Sequence, residues 1–444
     1  MNDDHRPIPR VVLAAYAAPA VPLSMLMMQL IVYVPPFYAS EMAMDLGTVG
    51  LVFFLARAWD ALIDPLIGNL SDRTSGRFGR RKPWLGLGTP ALALLAWLFC
   101  QPPEGVGVVY LGVVALFFYV ALASLQIPYL SWGSELSGDY RERTRINGWR
   151  EAGGMLGTLL ATGLPLLLLA DENPSLREIL FVFTLGVAVL LPLTVGWALR
   201  AAPSRAAVAP EHRSLRVALA GARRNAPLRR LLLGVFLFWL AGAVWNALVL
   251  FVVQFTLDLP RSAFLWFVFA QYLCSILCLP FATALGNRIG RHRALVFGAI
   301  AYFAFTPLFL LAGKAAFLPA MLIFLLMGAV TPFIWVMPPA LVADAVEHGM
   351  LQGEAEDAAL YMALYFFVQK AALAAGVGIA LPLSAVLGFD PASGAGQNGL
   401  ALVALGLPLL IALPAAAIMF NYPIDERRHA EIRRALVERG IVRS

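Results

Sequence analysis

The sequence predicts an all-α integral membrane protein of twelve transmembrane helices in two six-helix bundles, and three observations carry that prediction. The 444 residues are 60% hydrophobic and 14% charged, where soluble globular domains run at about 45–50% and about 25%. The mean hydropathy is +0.76, and the apolar runs divide into twelve segments, each near the length of about 20 residues that a bilayer requires. The arginines cluster in alternate loops, at 71–82, 141–150, 200–230, 288–293 and 427–443, while the loops at 40–46, 102–107 and 388–397 carry no Lys or Arg.

The segments of the first half lie near 11–39, 46–70, 84–101, 107–134, 147–170 and 177–200. Those of the second lie near 228–256, 262–285, 294–313, 316–346, 358–387 and 398–421. Between the halves runs the longest hydrophilic stretch, RAAPSRAAVAPEHRSLRVALAGARRNAPLRR. The expected divisions are an N-terminal bundle over 1–200, a cytoplasmic linker over 201–227, a C-terminal bundle over 228–421 and a cytoplasmic tail over 422–444. The tail holds Ile424, Ile432, Leu436 and Val437 among Arg and Glu; it reads either as an amphipathic helix on the membrane surface or as a solvated helix. The first apolar run is long and lacks a small-residue cleavage site, so it is expected to stay as a helix rather than leave as a signal peptide.

The net charge of +6 could suit nucleic acid, but its placement in alternate loops is the positive-inside pattern instead. That pattern puts both termini in the cytoplasm and the chain in the cell's inner or plasma membrane. One loop departs from it: EHGMLQGEAED near 347–357 is acidic. The expected partners are the lipid bilayer and a small-molecule substrate, with no nucleic acid and a monomeric chain. Cys100, Cys274 and Cys278 all fall in apolar segments, where they read as small buried residues.

The halves echo each other. GNLSDRTSGRFGRR follows the second segment from Gly68, and GNRIGRHR stands at the equivalent place from Gly286; IPYLSWGSEL closes the fourth segment and MPPALVADAVE the tenth. Such matched repeats are the mark of a parallel duplication.

The chemistry concentrates in GLVFFLARAWDALIDPLIGNL, residues 50–70. Asp60 and Asp64 fall about 40° apart on one helix face. Each carboxylate near a bilayer centre costs about 2.5–3.5 kcal/mol on insertion scales. Arg57, one turn before Asp60, can pair with it, and Pro65 loosens the backbone just after. Two acids against one base make a cation site, and oxygen ligands with a net negative balance suit Na⁺ or a proton. Asp60 and Asp64 are therefore the metal ligands if the ion is sodium, and no other cofactor is expected. A structural ion-pair cluster is the competing reading.

Lys370 sits mid-segment in LYMALYFFVQKAALAAGVG, too far from either end to snorkel simply. It is expected to report cation binding through a salt bridge to the carboxylates of the second segment, with a structural pair or a substrate contact as alternatives. Asp72, Arg73, Arg80 and Arg81, with Gly68 and Gly79, form a basic loop that reads as a gate element, glycine allowing close helix approach. Glu135, Asp344 and Glu347 stand at cytoplasmic segment ends and either pair with such arginines or face solvent. Arg150 and Glu151 serve either as interfacial anchors or as cavity residues. Gln29, Tyr33, Gln126, Tyr129, Trp335, Tyr365 and Gln369 are candidate cavity walls, each also open to a plain packing role.

WDALIDPLIGNLSDRTSGRFGRRKPW resembles the signature of the glycoside–pentoside–hexuronide:cation symporters, the melibiose-permease-like branch of the major facilitator superfamily. The likeness continues in IPYLSWGSEL…RERTRINGWREAGG, LVADAVEHG and VQKAALA. It implies the major facilitator fold, alternating access, coordination of Na⁺, Li⁺ or H⁺ by Asp60 and Asp64, a coupling role for Lys370 and a cavity position for Arg150. The expected function is thus cation-coupled symport of a sugar or glycoside. The chain departs from the family's sugar transporters at Gln126 and Leu130, where they carry aspartate and tryptophan, and their first-segment aspartate has no match in YAAPAVPLSMLMMQL. Sodium-dependent lysophospholipid symporters are similar to this family and share the acid pair and the lysine, which makes a lysolipid or other amphiphile the alternative cargo. From other classes, a membrane enzyme finds no metal cluster, phosphate loop or nucleophile–base pair to support it, and a non-transporting scaffold or receptor is at odds with retention of both aspartates and Lys370.

Overall fold

The computed structural model describes residues 8–74, 78–137, 140–169, 171–203, 222–352 and 358–438. Most of the expected linker, at 204–221, lies outside the described residues, as do parts of the basic loop (75–77), of the acidic loop (353–357) and the end of the tail (439–444).

Among the described residues, twelve helices are long and apolar enough to cross a membrane. In the first half they are α1 Arg10–Ser40, α2 Leu46–Arg73, α3 Lys82–Cys100, α4 Val108–Glu135, α5 Arg145–Leu168 and α6 Leu176–Ala201. In the second they are α7 Ala226–Thr256, α8 Arg261–Ile289, α9 Arg291–Ala312, α10 Phe317–Leu351, α11 Leu360–Val386 and α12 Gln397–Phe420. A thirteenth helix, α13 Glu426–Glu438, follows. The helices start where polar groups can hold their free N–H groups. Asp45 accepts from the Thr48 N–H at 2.7 Å to begin α2, and Asn225 accepts from the Leu228 N–H at 3.0 Å to begin α7. Ser175 and Glu178 form a reciprocal capping box at α6.

The chain falls into two compact units, Met1–Ala209 with Pro260–Phe269 and Asp390–Ala395, and Pro210–Leu259 with Ala270–Phe389 and Gly396–Ser444. Within the first, α1 packs on α5 and α6, and α4 packs on α2 and α3. Within the second, α7 packs on α11 and α12, and α9 on α10. The packing of α1 on α5 and α6 recurs as α7 on α11 and α12, and that of α3 on α4 as α9 on α10, an interval of six helices that agrees with the matched sequence repeats.

Small residues permit the closest of these approaches. A Cβ at Gly157 would lie 2.2 Å from the Val21 carbonyl oxygen, and one at Gly153 would lie 2.7 Å from that of Ala17. The obstacle is backbone in both cases, so α1 and α5 would have to part. Gly157→Ala should therefore lower the thermal unfolding midpoint of the detergent-solubilised protein by several degrees, as overpacking by a methyl group costs about 1–3 kcal/mol. An unchanged midpoint would show that α1 can yield. At Gly68, by contrast, a Cβ would meet only Ile127 at an ordinary 3.8 Å. The close approach expected there is not made. Gly79 is needed for a different reason, its φ of 81°, which L side chains rarely adopt.

Among the described residues, three π-helical turns interrupt the helices, at Gln29–Tyr33, Val252–Thr256 and Leu402–Gly406. The first occupies α1 just ahead of Pro35 and Pro36, and the second closes α7.

Candidate functional site: a buried acid pair and two charge latches

Asp60 is 1% exposed and Arg57 7%, while Asp64, one turn further along α2, is half-buried. The Arg57 guanidinium lies over the Tyr119 ring, 5.2 Å from its centroid. A cation over an aromatic face regains part of the hydration it loses on burial. Tyr119, in α4, was not singled out by sequence; the one signal was a tyrosine in an otherwise apolar run. Beside the acid pair the same helix face is hydrocarbon. Ile63, Ile67 and Ala123 form a buried cluster, with Trp59, Trp84, Val120 and Ile127 packed against it. Carboxylates set against such a wall sit in a low dielectric, where charge interactions are strong.

At the end of α4, Arg81 gathers three polar groups of the first unit, two of them candidate gate residues. Its Nε donates to Glu135 at 2.9 Å, one terminal nitrogen donates to the Ser71 hydroxyl at 2.7 Å, and the other donates to Glu135 at 2.8 Å and to Asp72. Arg80 adds a longer contact to Glu135 at 3.6 Å. Arg73 is exposed. Ser71 carries no signal in the sequence, because a lone hydroxyl between Leu70 and Asp72 makes no pattern.

The second unit has a counterpart. Arg291, in the GNRIGRHR repeat, donates to Asp344 near the end of α10. Both latches join the arginine that follows an even-numbered helix (α2 or α8) to an acid two helices later. The second carries an addition: His429 of α13 places its Nε2 3.3 Å from Asp344 and 3.1 Å from Glu347. Nothing in the sequence pairs a tail histidine with α10.

The candidate cavity residues are differently placed. Gln29 and Tyr33 are fully buried; the Gln29 carbonyl oxygen faces the Cys100 thiol at 3.5 Å. The Tyr129 hydroxyl donates to the Tyr16 carbonyl at 2.7 Å, and the Tyr16 hydroxyl donates back to the Tyr129 carbonyl at 3.3 Å. This exchange clasps α1 to α4. Gln126 is half-buried on the same helix. Arg150 pairs with its neighbour Glu151 at 2.6 Å. Trp335 is 51% exposed and meets Trp239 and Tyr272. Tyr365 is buried, whereas Gln369 and Lys370 are half-buried on α11. Cys274 and Cys278, expected to be buried, are half-buried instead, their sulfurs 3.9 Å apart.

Twelve apolar helices in two repeated units, with a buried acid pair and paired charge latches, define a multi-pass membrane transporter of the major facilitator type. The chain belongs to the MFS/sugar transport protein family, whose model matches residues 15–426. The inner membrane symporter YicJ of Escherichia coli is 26% identical over 424 residues, 90% of this chain and 87% of that protein. The sodium-dependent lysophosphatidylcholine symporter 1-B of Danio rerio is 35% identical over 137 residues, 29% of this chain and 23% of that protein. The fold matches the crystal structure of a bacterial homologue of the human lysosomal transporter Spinster, with a TM-score of 0.69 at 13% identity over 95% of this chain and 98% of that one. The relatives and structural neighbours are transporters, so the activity is transport and not catalysis.

Proposed function

We propose that this protein is a cation-coupled symporter that carries a small organic solute of the sugar or glycoside class by alternating access, in the inner or plasma membrane with both termini in the cytoplasm. The observation that carries the reading is Asp60, a carboxylate 1% exposed and one turn from a second acid inside a membrane-spanning helix. Such a group is expensive to keep there unless a cation or proton meets it. Na⁺ or H⁺ is the coupling ion, with Asp60 and Asp64 as its ligands. The family description supports the sugar class. For coupling to follow, cation binding must favour the state that binds solute.

An amphiphile is the second reading. It is favoured by the run of Met and apolar residues in α1, Met25 to Met28, and by the local likeness to a sodium-dependent lysophosphatidylcholine symporter. A sugar needs fixed hydrogen-bond partners, since a buried hydroxyl without one costs about 1–3 kcal/mol. A thermal-shift screen of purified protein against sugars, glycosides and lysolipids, with and without Na⁺, separates the two. Stabilisation by a sugar or glycoside is expected; a response to lysolipids alone would replace that cargo with an amphiphile. Counterflow in proteoliposomes tests transport itself, since a scaffold exchanges no solute under any gradient.

Lys370→Ala is expected to reduce ion-driven accumulation far more than it reduces the yield of folded protein. Parallel loss of both would make the lysine structural.

A further inference from the structure

The apolar side of α13 is already occupied. Ile432 and Leu436 are fully buried and Ile424 and Tyr422 nearly so, and the helix packs on the end of α10. Asp425 caps it, accepting from the Arg428 N–H at 2.8 Å. Arg427, Arg428, Arg433 and Arg434 face outward. The tail helix is therefore docked on protein through its apolar face, and a membrane surface is not what covers that face.

Its first turn meets charge. His429 Nε2 lies 3.1 Å from Glu347 and 3.3 Å from Asp344. Asp344, with a side chain 7% exposed, also takes Arg291 of α9. The groups around the ring are thus two carboxylates from α10, one guanidinium from α9, the Tyr422 hydroxyl near Asp344, and Arg433 of α13 itself, which lies near Glu347. Setting aside Arg433, which is exposed, Asp344, Glu347 and Arg291 sum to one negative charge. A protonated imidazole brings the cluster to neutrality; a neutral one leaves a half-buried carboxylate short of a counter-ion, which is costly at such depth.

We propose that His429 makes α13 a proton-operated clamp on the second unit: protonated, it ties the tail to Asp344 and Glu347 beside the Arg291 latch, and neutral, it lets the first turn of α13 release. The clamp senses pH on the side of the membrane that holds the tail. It regulates the mobility of the α9 and α10 ends and is separate from the acid pair on α2.

The direction of the response follows from linkage. The hydrogen bond to Glu347 raises His429 above the ordinary imidazole value; burial opposes the rise, and Asp344 adds to it. A group raised in the docked state favours docking fully below its undocked pKa, about 6.5. That contribution is lost as pH climbs through the higher docked value. Docking should therefore be firm in acid and weaken in mild alkali.

Hydrogen–deuterium exchange of the tail amides in the full-length protein, corrected for intrinsic rates, reads this directly and needs no transport assay. Protection over 426–438 should be severalfold higher at about pH 6 than at about pH 8.5, bracketing the imidazole range. His429→Gln, which keeps a side-chain N–H but cannot titrate, should make protection independent of pH. Glu347→Gln should shift the wild-type midpoint to lower pH. Protection that does not change with pH in the wild type, a pH response that persists in His429→Gln, or an unmoved midpoint in Glu347→Gln would each overturn the clamp.

Discussion

Asp60→Asn and Asp64→Asn are each expected to reduce ion-driven accumulation in proteoliposomes to simple equilibration. One cation crossing 100 mV releases about 2.3 kcal/mol, and a tenfold concentration gradient adds about 1.4 kcal/mol. Together about 3.7 kcal/mol supports accumulation of a neutral solute by several hundredfold, so the expected loss spans more than two orders of magnitude. Asparagine keeps the shape of aspartate and removes its charge, which lowers the cost of holding the residue in the bilayer. The folded yield and elution profile of Asp64→Asn should therefore be near wild type, whereas Asp60→Asn should lower the yield in part, because it leaves the buried Arg57 short of a counter-ion. Asp60 is the more deeply buried of the two, and Asn there leaves Arg57 over Tyr119 with less negative charge nearby. Counterflow without a gradient separates coupling from movement. A variant that still exchanges solute but no longer accumulates it has lost only the drive. Wild-type accumulation in either variant would remove the cation site from α2.

Much of this arrangement could be read from the chain, and the reason is specific. Span number follows from hydropathy, a one-dimensional property that needs no partner. The ion pairs were legible only in part: the duplication sets basic GNLSDR and GNRIGRHR stretches against acids at the ends of the fourth and tenth segments, but which arginine meets which acid, Arg291 with Asp344 above all, is not written in the spacing. What spacing leaves open has a different cause. Which face of a helix a residue occupies depends on packing and on helix geometry. The π turn at Gln29–Tyr33 shifts the register by which a 3.6-residue projection would place Gln29 and Tyr33, and both lie buried within the first unit. Gly68 heads the repeated GN stretch and yet makes no close approach, whereas Gly153 and Gly157, where an added Cβ would meet backbone, stand in an unremarkable GGMLG. The docking of α13 joins residues 85 apart in sequence, His429 and Asp344. Its only local sign was a modest amphipathic pattern that fits a membrane surface as well as a protein one.

Arg81→Met should destabilise the protein more than Arg291→Met, although the two arginines occupy matched places in the repeat. The difference lies in solvent. The Arg81 side chain is 7% exposed and Glu135 12%, so removing the guanidinium leaves the carboxylate only the longer contact to Arg80, where water reaches it poorly. Breaking a buried pair from one side costs about 3–5 kcal/mol, and the Ser71 hydroxyl loses its donor as well. The Asp72 arm adds little, since that carboxylate is 56% exposed, and exposed pairs are worth about 0–1 kcal/mol. Arg291 is 38% exposed. Water can replace much of what it supplies, and His429 stays beside Asp344 to take up the charge. Thermal unfolding of the two variants in the same detergent should show the larger drop for Arg81→Met, with a partial return in the double variant Arg81→Met/Glu135→Gln, where the one carboxylate that loses its partner is the exposed Asp72. Equal drops would mean that both ends are equally wet. No return in the double variant would mean that Arg81 acts through its aliphatic stem, and not through the carboxylate it holds.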